Sequence, residues 1–386
     1  MFLNQKWLIF VFCVLIQSCT QIDDFLLGKD NTIKPSALTP LNEKIHFKEQ
    51  WSTTVSKSAS GHYLKLIPFV SGDILYVAEP RGRLFAIDKY TGKIQWSTPL
   101  HQSLVSGPVV LGDTIVVSTN TAEVLALNKQ DGSIRWRAAV SSDVLASPLL
   151  TKRSVVVKTV DGHLYAFDIN TGKKQWRMEH GAPNLILKAS SSPVKIGRMV
   201  LVGFSDGKLD AVDIDTGRVL WQRSIVYATG ASDVERLVDI DADPIVRNEV
   251  VYLASYQGYI GAMSLQDGQF IWNKTASTYK NLNIDTGSLY MTDSNDIVWA
   301  YALTNGQVRW KQPILTAREV TAPARIGHNL FLGDKTGFLH VIAAEHGTLI
   351  GRQYLGSAIE VSPVVSGDWI YVITSTGQLV SFTVGG

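Results

Sequence analysis

Few side chains in this 386-residue sequence stand in patterns that chemistry could use. Gly203-Phe204-Ser205-Asp206-Gly207 matches the G-x-S-x-G elbow that exposes a nucleophilic serine, a device that needs a strand, a sharp turn and then a helix. Here Ser205 aligns with a hairpin at Val160-Asp161-Gly162 one repeat earlier, and a strand follows, so no catalytic serine is expected. Asp239-Ile240-Asp241-Ala242-Asp243 opens like a calcium loop, but Pro244 stands where glycine is required and Val250 where the closing carboxylate belongs. The eight histidines are scattered, with no His-x-His pair and no His-Glu-x-x-His helix. Both cysteines, Cys13 and Cys19, lie in the first twenty residues, which leaves the body without a disulfide, a cysteine-based zinc site or a thiol nucleophile. No enzyme activity, cofactor or metal is expected of these groups.

The elements that would position any such groups are one unit written eight times. AIDKYTGKIQW at 86–96 recurs at 126–136, 166–176, 211–221, 262–272 and 300–310, and VIAAEHGTLIG at 341–351 keeps the glycine but ends in Gly351 where the others end in Trp. The turn glycines fall at 92, 132, 172, 217, 268, 306 and 347. Prolines open apolar runs at 68, 108, 148, 193, 244, 323 and 363, the sixth unit near Leu282 lacking one, and Trp51 supplies an eighth outer position. Each unit, about 43 residues long, reads as short Val/Ile/Leu-rich strands separated by Gly, Asp or Asn turns, which predicts an all-β, eight-bladed β-propeller of four-stranded blades. A β-solenoid is the alternative, but its coils are shorter. The repeated Trp is expected to fill the gap between blades and the glycine to take the positive φ of its turn. The stretch around Trp51 is expected to supply the outer strand of the last blade, so that the ring is latched and exposes no seam.

Composition sets limits on partners. With 45% hydrophobic and 18% charged residues the chain has ample material for a core, and 36 Lys and Arg against 34 Asp and Glu, with no basic run, gives no support for nucleic-acid binding. The start carries one charge, Lys6, followed by an apolar run from Trp7 to Ile16, about 15 Å as a helix and too short to span a bilayer. It reads as a signal peptide, 1–18; the alternative is a short buried helix. Ile16-Gln17-Ser18-Cys19 resembles the bacterial lipobox, which implies that Cys19 carries acyl chains; an ordinary secreted protein is the alternative. Thr20, which follows the cysteine where Asp commonly retains a lipoprotein at the inner membrane, implies the outer membrane by the same resemblance. Residues 19–44 are polar with Pro35 and Pro40 and are expected to form a flexible tether, leaving 45–386 as a single propeller domain.

The two longest repeat steps are adjacent and mark the expected working surface. One contains NLILKASSSP at 184–193, the other YATGASDVERLVDIDADP at 227–244. The repeat resembles that of the quinoprotein dehydrogenases, propellers that bind pyrroloquinoline quinone with calcium, yet the chain lacks their length and adjacent cysteines. The lipobox, the propeller and the run ATGASDVERLVDIDADPIV together resemble the BamB family, lipoprotein subunits of the bacterial outer-membrane β-barrel assembly machinery. The resemblance implies a non-catalytic scaffold at the periplasmic face of the outer membrane that binds the periplasmic domains of BamA, the central barrel subunit, with unfolded outer-membrane proteins as candidate clients. It also implies that Leu185, Leu187, Lys188, Asp239 and Asp241 form the contact, Lys188 standing where the family has arginine. These five are expected to form one exposed patch with apolar anchors and a charged rim. A periplasmic ligand-binding propeller and a small quinone-dependent dehydrogenase are the alternatives.

Overall fold

The computed structural model describes residues 34–55, 65–183, 185–187, 190–227, 232 and 234–385; the expected signal peptide and Cys19 lie outside these. Every regular element among them is a β-strand, and these form eight four-stranded antiparallel sheets. Blades 1 to 7 span 69–99, 104–139, 149–179, 194–224, 245–276, 283–312 and 324–354, and blade 8 joins 364–385 to the strand His46–Thr54. That strand pairs antiparallel with Gln378–Gly385, from His46 opposite Gly385 to Thr54 opposite Gln378, as the latch requires.

The inner strands read as continuous apolar runs because a blade is covered on both faces by its neighbours. Ile115–Val117 and Val155–Val157 are wholly buried, whereas the outermost strands, such as Lys174–Glu179, are largely exposed. Eight apolar clusters result, each shared by two adjacent blades. Within a blade the chain runs from innermost to outermost strand, reversing at each turn. Loops between blades and the second hairpin of each blade therefore share one face, here called the loop face. The first and third hairpins share the other, the turn face.

On the turn face seven of the eight seams carry the same contact. Trp51, Trp96, Trp136, Trp176, Trp221, Trp272 and Trp310 lie over the turn glycine of the following blade, where an added Cβ would come within 2.3–3.2 Å of the indole. The indole N–H of Trp136 donates to Ile169 O at 2.8 Å and that of Trp176 to Ile214 O at 2.9 Å, which satisfies the polar edge of a buried ring. The glycine thus serves twice. It takes the positive φ, and it leaves room for the neighbour's indole, a second reason that the repeat alone does not reveal.

Gly351 ends the one seam without a Trp, and the latch explains it. The outer strand of blade 8 arrives from the amino terminus, so blade 8 has no third hairpin and no turn glycine for an indole to cover. A Cβ at Gly351 would press on Ile45 O at 3.1 Å, and Phe47 fills the seam edge-on to Phe382 and Phe331 at ring separations of 5.5 and 6.2 Å. The main-chain N–H groups of Lys44 and Ile45 both donate to Ile350 O. Further upstream, Ser36 N donates to Thr316 O, Arg318 donates to Ser36 O at 2.9 Å, and Leu38 and Leu41 pack on the blade 6–7 cluster. Ser36–Gly386 is accordingly one compact unit, so residues 36–44, expected within the tether, belong to the propeller as a strap across its rim.

Gly172→Ala is expected to lower unfolding free energy by about 2 to 4 kcal/mol, since it combines a left-handed φ of 69° with a 2.7 Å clash against Trp136. Gly197→Ala has a similar φ of 58° but open space around it, and should cost only about 1 kcal/mol in the same denaturant titration. Equal costs would mean that the indole contact contributes nothing.

Candidate functional site

The two long inserts meet on the loop face, between blades 3, 4 and 5. The second runs along the hairpin of blade 4. Leu237, Val238, Ile240 and Ala242 are all buried, and Gly203 lacks a side chain where Ile240 lies, an added Cβ coming within 2.5 Å of it. Tyr256 N donates to Asp239 O at 2.8 Å and Gln257 Nε2 to Val234 O, tying the insert to the hairpin of blade 5. Its outer part is a single turn closed by a reciprocal capping pair, Ser232 N to Glu235 Oε2 and Glu235 N to Ser232 Oγ.

Two acidic residues of this insert point inward. Asp239 and Asp241 are 0% and 1% exposed, which corrects the expectation that they line an exposed patch. An acidic run in a surface insert reads as solvated, but here the main chain lies flat on blade 4 and both of its sides are covered. Asp239 Oδ2 accepts the main-chain N–H of Leu187 at 2.6 Å, so it holds the first insert from beneath. Asp243 Oδ1 accepts Ser192 N at 2.5 Å and a 2.8 Å ion pair from Lys65. Lys158, buried at the end of its strand, donates to Gly203 O at 2.7 Å and lies over the Phe204 ring. Burial pushes the Asp239 carboxyl up, against the pull of the Leu187 N–H and the Lys158 charge. Burial and the Asp239 charge push Asp241 up, with Lys158 and Lys65 opposing, and burial pushes Lys158 down.

Leu185, at 42% exposed, faces solvent, Leu187 is half-buried, and Lys188 lies outside the described residues. Two apolar side chains that the sequence reading passed over join Leu185 on these inserts: Tyr227 at 75% and Val234 at 62% exposed. The Ser232-x-x-Glu235 pattern was the available signal for the turn that presents Val234. Ser205 sits in the hairpin turn of blade 4 with the strand Lys208–Asp213 after it, not a helix, and its neighbourhood is structural. The cavity beneath the first insert, lined by Lys158, Ile186, Phe204 and Ser205, measures about 10 Å³, room for one water and far short of a ligand pocket. A wider groove of about 300 Å³ opens on the turn face between blades 5 and 6, but the Arg247 guanidinium that lines it is turned to Asp285 O.

Beside the first insert, His180 stacks on Phe204 with ring centroids 3.7 Å apart, and its nitrogens meet Asp210 Oδ2 at 2.7 Å and Asp206 Oδ1 at 3.1 Å. Burial alone would lower its pKa. The hydrogen bonds and charges of Asp206 and Asp210 outweigh it and push the pKa up to about 9.

These features define an eight-bladed β-propeller whose elaborated loops expose apolar side chains over a buried charged base. A family model described as outer membrane protein assembly factor BamB matches residues 48–128 and 104–312. An outer membrane protein assembly factor BamB of Legionella pneumophila (strain Paris) is 51% identical over 378 residues, 98% of each chain. The chain belongs to the BamB family. The crystal structure of BamB from Moraxella catarrhalis superposes with a TM-score of 0.81 at 24% identity, covering 88% of this chain and 100% of that one. A quinohemoprotein alcohol dehydrogenase from Comamonas testosteroni shares the fold, with a TM-score of 0.69 at 13% identity over 87% of this chain and 76% of its own.

His180 generates a pH prediction. Its folded pKa lies above the unfolded value of about 6.5, so its contribution is complete below pH 6.5 and fades as pH rises towards 9. The stability difference between the parent and His180→Gln is expected to be on the order of 2 to 3 kcal/mol at pH 6 and near zero at pH 10. A difference independent of pH, measured by denaturant unfolding, would refute the charged pairing.

Proposed function

We propose that this chain is a non-catalytic scaffold subunit of the outer-membrane β-barrel assembly complex, lipid-anchored through Cys19 at the periplasmic face, whose loop face binds the periplasmic region of the barrel subunit BamA. The observation that carries the reading is the solvent-facing set Leu185, Tyr227 and Val234, held on two adjoining inserts by carboxylates that are themselves buried. Apolar and aromatic anchors on a braced base are what a protein interface needs, because preorganised side chains lose little freedom on binding. The names carried by the relatives support the complex in which such an interface would act. Leu187 and Lys188 remain part of the proposed contact. Asp239 acts in it through the loop it holds, and Asp241 from its buried place beside Asp239.

Leu185→Ser and Tyr227→Ala are each expected to weaken binding to the purified periplasmic region of BamA by about 1 to 3 kcal/mol, with unchanged melting temperatures. Asp239→Ala should weaken it by a similar amount at low and high salt, because the lost interaction is a buried hydrogen bond that ions do not screen. If both exposed variants bind normally, the loop face is not the docking surface.

Lipid attachment has its own test. Metabolic labelling with a fatty-acid analogue is expected to mark the parent protein and to leave Cys19→Ala unmarked. Equal labelling of the two would overturn the anchor.

A further inference from the structure

We propose that Lys65 and Asp243 form a strut across the ring axis that positions the loops of the docking surface, an inference that rests on the loop-face reading above. Lys65 lies four residues before the innermost strand of blade 1, Phe69–Ser71, and is bridged to Ser106 of blade 2. Asp243 lies two residues before the innermost strand of blade 5, Ile245–Arg247. In a ring of eight these two blades face each other, so the 2.8 Å contact between Lys65 Nζ and Asp243 Oδ1 spans the axial opening at the loop face. Lys65 Nζ also lies 3.4 Å from Asp241 O.

Asp243 gathers more than the lysine. Ser192 N, which leads into blade 4, donates to its Oδ1 at 2.5 Å. Asn281, which leads into blade 6, donates to its Oδ2 at 3.0 Å and accepts from its main-chain N at 2.9 Å. One carboxylate therefore ties together the starts of the innermost strands of blades 1, 4, 5 and 6. The first insert hangs from the second by two main-chain N–H groups, Leu187 on Asp239 and Ser192 on Asp243, the first of them two residues after the exposed Leu185.

The charges say why the lysine matters. Asp239, Asp241 and Asp243 place three carboxylates within five residues, and Asp241 Oδ2 has no hydrogen-bond partner among the described residues. Lys158 donates to Gly203 O, whereas Lys65 makes the direct ion pair with Asp243 and so offsets that carboxylate at contact. Without it the like charges repel with little water to screen them, and the insert relaxes away from the axis. The ring itself does not depend on the strut, because the indole contacts that close the seams lie on the other face.

The experiment uses the full mature chain with Lys65→Met, Lys65→Arg and Asp243→Asn, each measured by amide hydrogen exchange, thermal melting and binding to the periplasmic region of BamA. Lys65→Met is expected to speed exchange at Leu187 and Ser192 tenfold or more, to leave the amides of the strand His163–Asp168 unchanged, and to weaken binding at least fivefold. Asp243→Asn keeps an acceptor for Ser192 but loses the ion pair, and should loosen the same two amides. Lys65→Arg should restore both readouts. Unchanged exchange at Leu187 and Ser192 in both charge-removing variants would overturn the strut, as would loosening that extends equally to His163–Asp168. Loosened amides with unaltered binding would support the strut and sink the docking surface, which separates the two failures.

Discussion

Hydrogen-bond ladders hold each blade of this protein together and end at its edges, so the ring depends on what fills the seams. The dominant filling is an indole laid on a glycine of the next blade, repeated at seven of eight seams. The contact fixes both spacing and direction, because an indole can lie on that turn only if the outer strand stands at one distance from its neighbour. It also frees the opposite face. With closure assured on the turn face, the loops between blades can lengthen without loosening the ring, and two of them have done so.

Those loops are built by a different rule. They expose Leu185, Tyr227 and Val234 while burying Asp239 and Asp241, an inversion at those five positions of what an ordinary surface insertion shows. The inversion makes sense if the buried charges serve as anchors. Carboxylates accept main-chain N–H groups strongly, and enclosing them among lysines makes the arrangement hard to rearrange. The result is a rigid platform from which Leu185, Tyr227 and Val234 project.

Much of this was legible in the sequence, and what was missed has physical causes. Blade count, the strand origin of the latch and the gap-filling Trp follow from a repeat whose period is long and whose turns are marked by glycine and proline. The burial of Asp239 and Asp241 was not legible, because a run of alternating acidic and apolar residues has the same pattern on a solvated loop as on one pressed between a hairpin and an axis. Lys158 and Lys65 gave no signal either. Their partners lie 45 and 178 residues away, brought together by the packing of neighbouring blades for Lys158 and by closure of the ring for Lys65. Gly351 looked like a degenerate repeat and is the residue that the latch demands.

The strap has a mechanical consequence. Tension arriving through the amino-terminal segment at Ser36 does not act first on the strand that closes the ring. It must first break the Ser36 bonds to Thr316 and Arg318, strip Leu38 and Leu41 from the rim, and free Lys44 and Ile45 from Ile350. Only then does load reach the His46–Thr54 ladder, whose parting would open the ring. The strap is a strain relief, as on a cable, placed where a pull on this segment would otherwise begin to unravel the ring.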